Sequence, residues 1–197
     1  MNRRSVTVSV GALLLMALVY FFDENGICAA LLLAAAVHEA GHVLALRMLG
    51  AQVTGLRIEL SGLCLDYRGR PGRAGEVFAA AMGPAFGAVL AVVCALAGRR
   101  WESELLLCTA GISLVLTLFN LLPAMPLDGG RILSALLPRR YAAQVLRFSG
   151  VMCASALVCA GLWFAWAGCG AALTLAGLYL MGYCVLYQPV VKYKNRP

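Results

Sequence analysis

Six runs of roughly 17–25 mostly apolar residues, the length that carries a helix across a bilayer, take up most of this chain. They cover residues 6–22, 27–49, 77–98, 105–122, 148–166 and 170–187. Inside a bilayer no water satisfies the backbone, so each run must close its own hydrogen bonds as a helix. The sequence is 62% hydrophobic and 13% charged, whereas a soluble domain is ~45–50% apolar and ~25% charged. No stretch is left over for a sizeable soluble domain. The expectation is an all-α polytopic membrane protein of six transmembrane helices, forming one domain over residues 1–197.

The first run follows Asn2-Arg3-Arg4, as a signal peptide would, but leads into Phe21-Phe22-Asp23-Glu24 with no small-residue cleavage site. It is read as a retained span. With the N-terminus placed in the cytoplasm, all of the 16 basic residues except Arg99 and Arg100 fall on the cytoplasmic side. The positive-inside rule therefore predicts cytoplasmic termini at both ends. The net charge of +7 is scattered through short loops and makes no basic face, which excludes a nucleic-acid partner. None of the eight cysteines forms a C-x-x-C pair, so they read as small apolar residues and not as a metal or redox motif.

The only two histidines stand four residues apart in His38-Glu39-Ala40-Gly41-His42, inside the second run. On a helix, positions i and i+4 share a face, so both imidazoles can reach one metal ion with Glu39 beside it. Ionisable groups at membrane depth are costly and mark function. On the orientation above, His38 lies roughly 16 Å of helix from the inner end of its span, toward the cytoplasmic side. Catalytic zinc takes three protein ligands and keeps one position open. With no third histidine, the best remaining donor is Asp128, in Asn120-Leu121-Leu122-Pro123-Ala124-Met125-Pro126-Leu127-Asp128-Gly129-Gly130-Arg131. There Pro123 and Pro126 should end the fourth helix, and Gly129 and Gly130 free the backbone after Asp128.

His38-Glu39-x-x-His42 together with Asn120-x-x-Pro123-x-x-Pro126-Leu127-Asp128-Gly129 resembles the site-2 protease family of intramembrane zinc metalloproteases. The likeness covers the second to fourth spans, the family's catalytic core, here residues 27–131. Gly83-Pro84 also resembles a family feature, although the asparagine that often follows is Gly87 here. The compact six-span layout is most similar to the sporulation branch, that of stage IV sporulation protein FB-like proteases, which process a membrane-tethered pro-sigma factor. The C-terminal nucleotide-binding domain often found there, and a PDZ-like insertion, are not expected in this chain.

The resemblance implies one zinc per chain, held by His38, His42 and Asp128, with Glu39 as the base that deprotonates the attacking water. It implies that Asn120 hydrogen-bonds the substrate backbone. Arg131 reads as a cytoplasmic anchor charge or as a residue that orients the Asp128 loop. The substrate would be a membrane-tethered protein, with a membrane regulatory or inhibitory partner as a further expectation.

A protease must hold its substrate extended. Leu56-Arg57-Ile58-Glu59-Leu60 alternates at strand period, and Leu63-Cys64-Leu65-Asp66-Tyr67 can return after Ser61-Gly62. The expectation is a small β-hairpin in the cytoplasmic loop between spans two and three. Its edge, with Ile58 and Leu60, would add the substrate as another strand. The competing readings are a general bacterial regulated intramembrane protease outside sporulation, a metal transporter, and a catalytically dead scaffold. Glu39 between the histidines argues against the last two.

Overall fold

The computed structural model describes residues 5–9, 20–21, 23, 26–59, 62–69, 71–168 and 170–186. Among them lie β1 (Ser5–Val8), α1 (Ile27–Met48), β2 (Gln52–Glu59), β3 (Gly62–Arg68), α2 (Arg73–Trp101), α3 (Glu104–Asn120), α4 (Asp128–Leu136), α5 (Arg139–Ala165) and α6 (Ala171–Leu186). The chain divides into two compact units, Met1–Phe119 and Asn120–Pro197. Three helices are long and apolar enough to cross a membrane: α1, α2 and α5 from Arg140 onward. Two shorter apolar helices, α3 and α6, have 17 and 16 residues.

Two sequence expectations change here. The run at 6–22 does not begin as a helix. Val6, Thr7 and Val8 pair with β2 in parallel, Ser5 opposite Gly55 and Val8 opposite Ile58. β-Branched residues fit a pleated strand better than a helix. Residues 10–19 lie outside the described residues. The fold is also mostly helical rather than all-α with a lone hairpin, since β1, β2 and β3 form a three-stranded sheet in that order. β3 runs antiparallel to β2, from Gln52 opposite Arg68 to Glu59 opposite Gly62, with an irregularity between Val53 and Gly55. Residues 60 and 61, between the two strands, lie outside the described residues.

In the first unit, Asp23 opens α1: its two carboxylate oxygens accept from the Ile27 and Cys28 amides at 2.8 Å each. A carboxylate there satisfies orphan amides and complements the helix dipole. Gly50, at φ 73°, closes α1. The Ala51 amide reaches back to Leu46 O at 2.9 Å and the Gly50 amide to Arg47 O at 3.0 Å, a Schellman ending. Ala45, Leu46, Ala51 and Ala79 then form a small core with Met82 against it.

Close contacts fix how these helices run. Gly75 sits against Leu49, Gly98 against Leu107 and Gly26 against Leu105. The start of α1, the end of α2 and the start of α3 therefore share one end. α1 and α2 run antiparallel, as do α2 and α3. The Ser113 hydroxyl, fully buried, donates to Gly87 O at 2.9 Å and joins α3 to α2.

In the second unit, α5 and α6 form an antiparallel pair. Gly161 lies against Thr174 and Gly177 against Val158. Their shared core is Ala124, Ala154, Leu180 and Cys184. Both units bury small residues and turn large ones outward: Val89, Val92 and Leu96 on α2 are more than half exposed. That is the packing expected where lipid, not water, is the solvent.

Candidate metal centre

α1 carries both histidines on one buried face, at 4% and 5% exposure. His42 Nδ1 lies 2.8 Å from Ala79 O. A carbonyl only accepts, so Nδ1 carries the proton and Nε2 keeps its lone pair. That lone pair faces His38 Nε2 at 3.2 Å, with the rings edge to face, 79° apart. Two imidazole nitrogens on a tetrahedral zinc, at ~2.0–2.1 Å bonds, lie about 3.3 Å apart. The pair is already spaced and aimed for one ion.

α2 makes the room. A methyl on Gly83 would overlap the His42 ring and stand 2.9 Å from His38 Nε2, and a methyl on Gly41 would collide with the Met82 backbone. Gly83 thus lies directly against the imidazoles, a role beyond helix packing. Pro84, inside α2, cannot donate the helical bond to Ala80. It loosens the ladder one residue beyond the carbonyl that orients His42.

In the second unit, Asp128 is the first residue of α4 and is 5% exposed. Sequence reasoning gave Gly129 and Gly130 the task of freeing a turn. Instead both are helical and buried. A methyl on Gly129 would strike the carbonyls of Leu121 and Leu122, and one on Gly130 would strike Ala124. These glycines let the segment after α3 fold back onto the start of α4. Arg131, left between two roles by the sequence, places Nη1 3.2 Å from Asp128 Oδ1. His38 and His42 in the first unit and Asp128 in the second are each buried, and imidazole nitrogens and a carboxylate oxygen are donor types that zinc takes.

The other expected site residues fall as follows. Glu39 is half-buried on α1, next to His38 in sequence, and Asn120 is half-buried as the last residue of α3. Leu60 lies outside the described residues. Ile58 lies on β2, which is the central strand: it pairs with Val8 on one side and Leu63 on the other. Its backbone therefore has no edge to offer a substrate, and the sheet's outer edges belong to β1 and β3. Sequence reasoning missed β1, because the β-branched residues of Ser5-Val6-Thr7-Val8 merge into the apolar run behind them.

A profile of the family described as Peptidase M50B-like matches residues 10–127. One described as Peptidase family M50 matches residues 99–162. Two relatives carry zinc metalloprotease names. Rip3 of Mycobacterium tuberculosis is 34% identical over 141 residues, covering 66% of this chain and 35% of that protein. The Synechocystis protein sll0528 is 34% identical over 119 residues, covering 56% of this chain and 31% of that protein. The chain thus spans about a third of the length of these relatives. Among solved structures, a site-2 protease from Methanocaldococcus jannaschii matches 100% of this chain and 97% of its own. The TM-score is 0.71 and the identity 20%, a likeness of fold.

Proposed function

This chain belongs to the M50B-like peptidase family, and on that premise we propose that it is a zinc endopeptidase that cuts membrane-tethered proteins within the bilayer. The observation that carries the reading is the buried pair His38 and His42, its Nε2 atoms 3.2 Å apart on an apolar helix. Neither a packing role nor a surface role accounts for two imidazoles aimed at each other there.

His38, His42 and Asp128 hold one zinc. When bound, it supplies Lewis acidity at the scissile carbonyl. Glu39 takes a proton from the attacking water and passes it to the amide nitrogen as the C–N bond breaks. The products are a carboxylic acid and an amine, which settle as carboxylate and ammonium once the acid proton moves to the amine, and Glu39 returns to its starting state. Arg131 holds Asp128 in place. Asn120, at the end of α3, hydrogen-bonds the substrate backbone, and the outer edge of the sheet holds the substrate extended. A regulatory partner in the membrane would act on that access.

All the long apolar helices, with α3 and α6 beside them, sit in the membrane. At 1.5 Å per residue, 16–17 residues reach roughly 25 Å, enough for a locally thinned or short-spanned bilayer. Both termini face the cytoplasm, as the charge pattern requires. A membrane-tethered pro-sigma factor is one substrate of the right kind, supported by the sporulation-branch likeness of the sequence. Any single-span protein with a helix that unwinds near the cytoplasmic face would serve the same chemistry.

The test is cleavage of a single-span substrate in vesicles by wild type and Glu39→Gln. The reading predicts full zinc content in both and a loss of about 10²–10⁴-fold in rate for the variant, the usual worth of a general base. A Glu39→Gln variant that cleaves at the wild-type rate would refute it.

A further inference from the structure

Three threonines sit in the described parts of the apolar helices, and one behaves unlike the others. Thr109 donates to Leu105 O at 2.7 Å, and Thr174 to Gly170 O at 3.0 Å. This is the ordinary bond of a helical threonine to the carbonyl four residues back. Thr117, on α3, makes no such bond. It is 4% exposed, and its Oγ1 has no hydrogen-bond partner among the described residues. A buried hydroxyl left in that state costs about 1–3 kcal/mol, so its orientation needs a reason.

That orientation is toward Gly87 of α2, next to His38. A methyl built on Gly87 of α2 would overlap Thr117 Oγ1, and the same methyl position lies 3.8 Å from His38 Nδ1. The threonine oxygen therefore takes the space that a side chain at residue 87 would fill, beside the outer nitrogen of His38. Since His38 Nε2 faces His42, Nδ1 is the nitrogen that carries the proton when Nε2 binds a cation. A metal-bound imidazole is held by the acceptor its other N–H finds. His42 has Ala79 O for that purpose. Ser113, one turn before Thr117, already occupies Gly87 O, so that carbonyl is less open to His38.

We propose that Thr117 is a positioning residue for zinc: its hydroxyl, seated on Gly87, accepts the Nδ1 proton of His38 through one water. The proposal rests on the zinc reading above. It assigns α3 a part in setting the metal centre.

The experiment is zinc affinity by chelator competition on the purified chain in detergent, with thermal unfolding of the metal-free protein alongside. Thr117→Val keeps the shape and removes the oxygen, and Thr117→Ser keeps the oxygen. The proposal predicts zinc binding weaker by roughly 10–100-fold in Thr117→Val, the range for lost outer partners of a metal ligand, and near-wild-type binding in Thr117→Ser. Metal-free stability of Thr117→Val should hold or rise, because a buried unsatisfied oxygen is gone. A shifted cobalt absorption spectrum in Thr117→Val but not in Thr117→Ser would mark the changed ligand field. Wild-type affinity in Thr117→Val, or equal losses in both variants, overturns the proposal while the zinc reading stands. A folded wild type that takes up no zinc overturns both.

Discussion

Gly83 bears its bare Cα against both imidazoles, so a single methyl there should act on the metal centre. Gly83→Ala is expected to weaken zinc binding by roughly 10–100-fold, equivalent to the ~1–3 kcal/mol usual for overpacking a tight core. Chelator competition on the folded variant checks it. Arg131 makes a second residue-scale case. Its Nη1 contact at 3.2 Å to Asp128 is half exposed to solvent on the arginine side, so its worth lies in aiming the carboxylate more than in stability. Arg131→Ala should reduce zinc affinity about tenfold or more, as outer-partner losses do, with little change in unfolding temperature. A variant that loses stability but keeps affinity would return Arg131 to an anchoring role. At this scale the sequence was informative about donors and silent about geometry. His38, Glu39, His42 and Asp128 stand out because ionisable groups are rare in apolar runs. Gly83 and Thr117 do not, because glycine and threonine are ordinary in membrane helices and only the contacts across α1, α2 and α3 give them a task.

The sheet is where local pattern and tertiary pairing part company. Alternation around residues 56–60 and 63–67 was legible as strand; β2 runs Gln52–Glu59 and β3 Gly62–Arg68, and residue 60 lies outside the described residues. Which strand would be central was not, because β1 joins from fifty residues away and its four residues resemble the start of a span. The consequence is specific: β2 is paired on both sides, so an added substrate strand must use an outer edge. Edge addition works through main-chain hydrogen bonds at alternate residues. A substrate peptide N-methylated at successive positions should therefore lose cleavage at alternate positions only. Loss at every position, or at none, would mean that the sheet edge does not hold the substrate. The element after α3 carries a related lesson. Pro123 and Pro126 rightly signal that the helix cannot continue, yet the following Gly-Gly pair serves close backbone approach inside α4 and not a flexible turn.

For the molecule as a whole, long apolar runs and a one-sided charge pattern made a membrane protein legible from composition alone. The runs at 105–122 and 170–187 were read as spans, but α3 and α6 have 17 and 16 residues, and length alone does not separate a short span from a buried helix; the strand at the start of the run at 6–22 was not legible. The antiparallel course of α1 and α2 puts Arg47 and Arg99 at opposite ends of the first unit. In a cysteine-free background, Arg47→Cys and Arg99→Cys in sealed vesicles should react with a membrane-impermeant thiol reagent from opposite sides, Arg47→Cys from the cytoplasmic one. Labelling of both from one side would contradict the proposed topology. On the proposed function, residues far apart in the chain assemble one zinc centre, and metal content decides it. Wild type, purified and metal-replete, should carry about one zinc per chain, and Asp128→Ala, still folded, should lose most of it. A folded wild type without zinc, or an Asp128→Ala variant that binds it as tightly, would contradict the account.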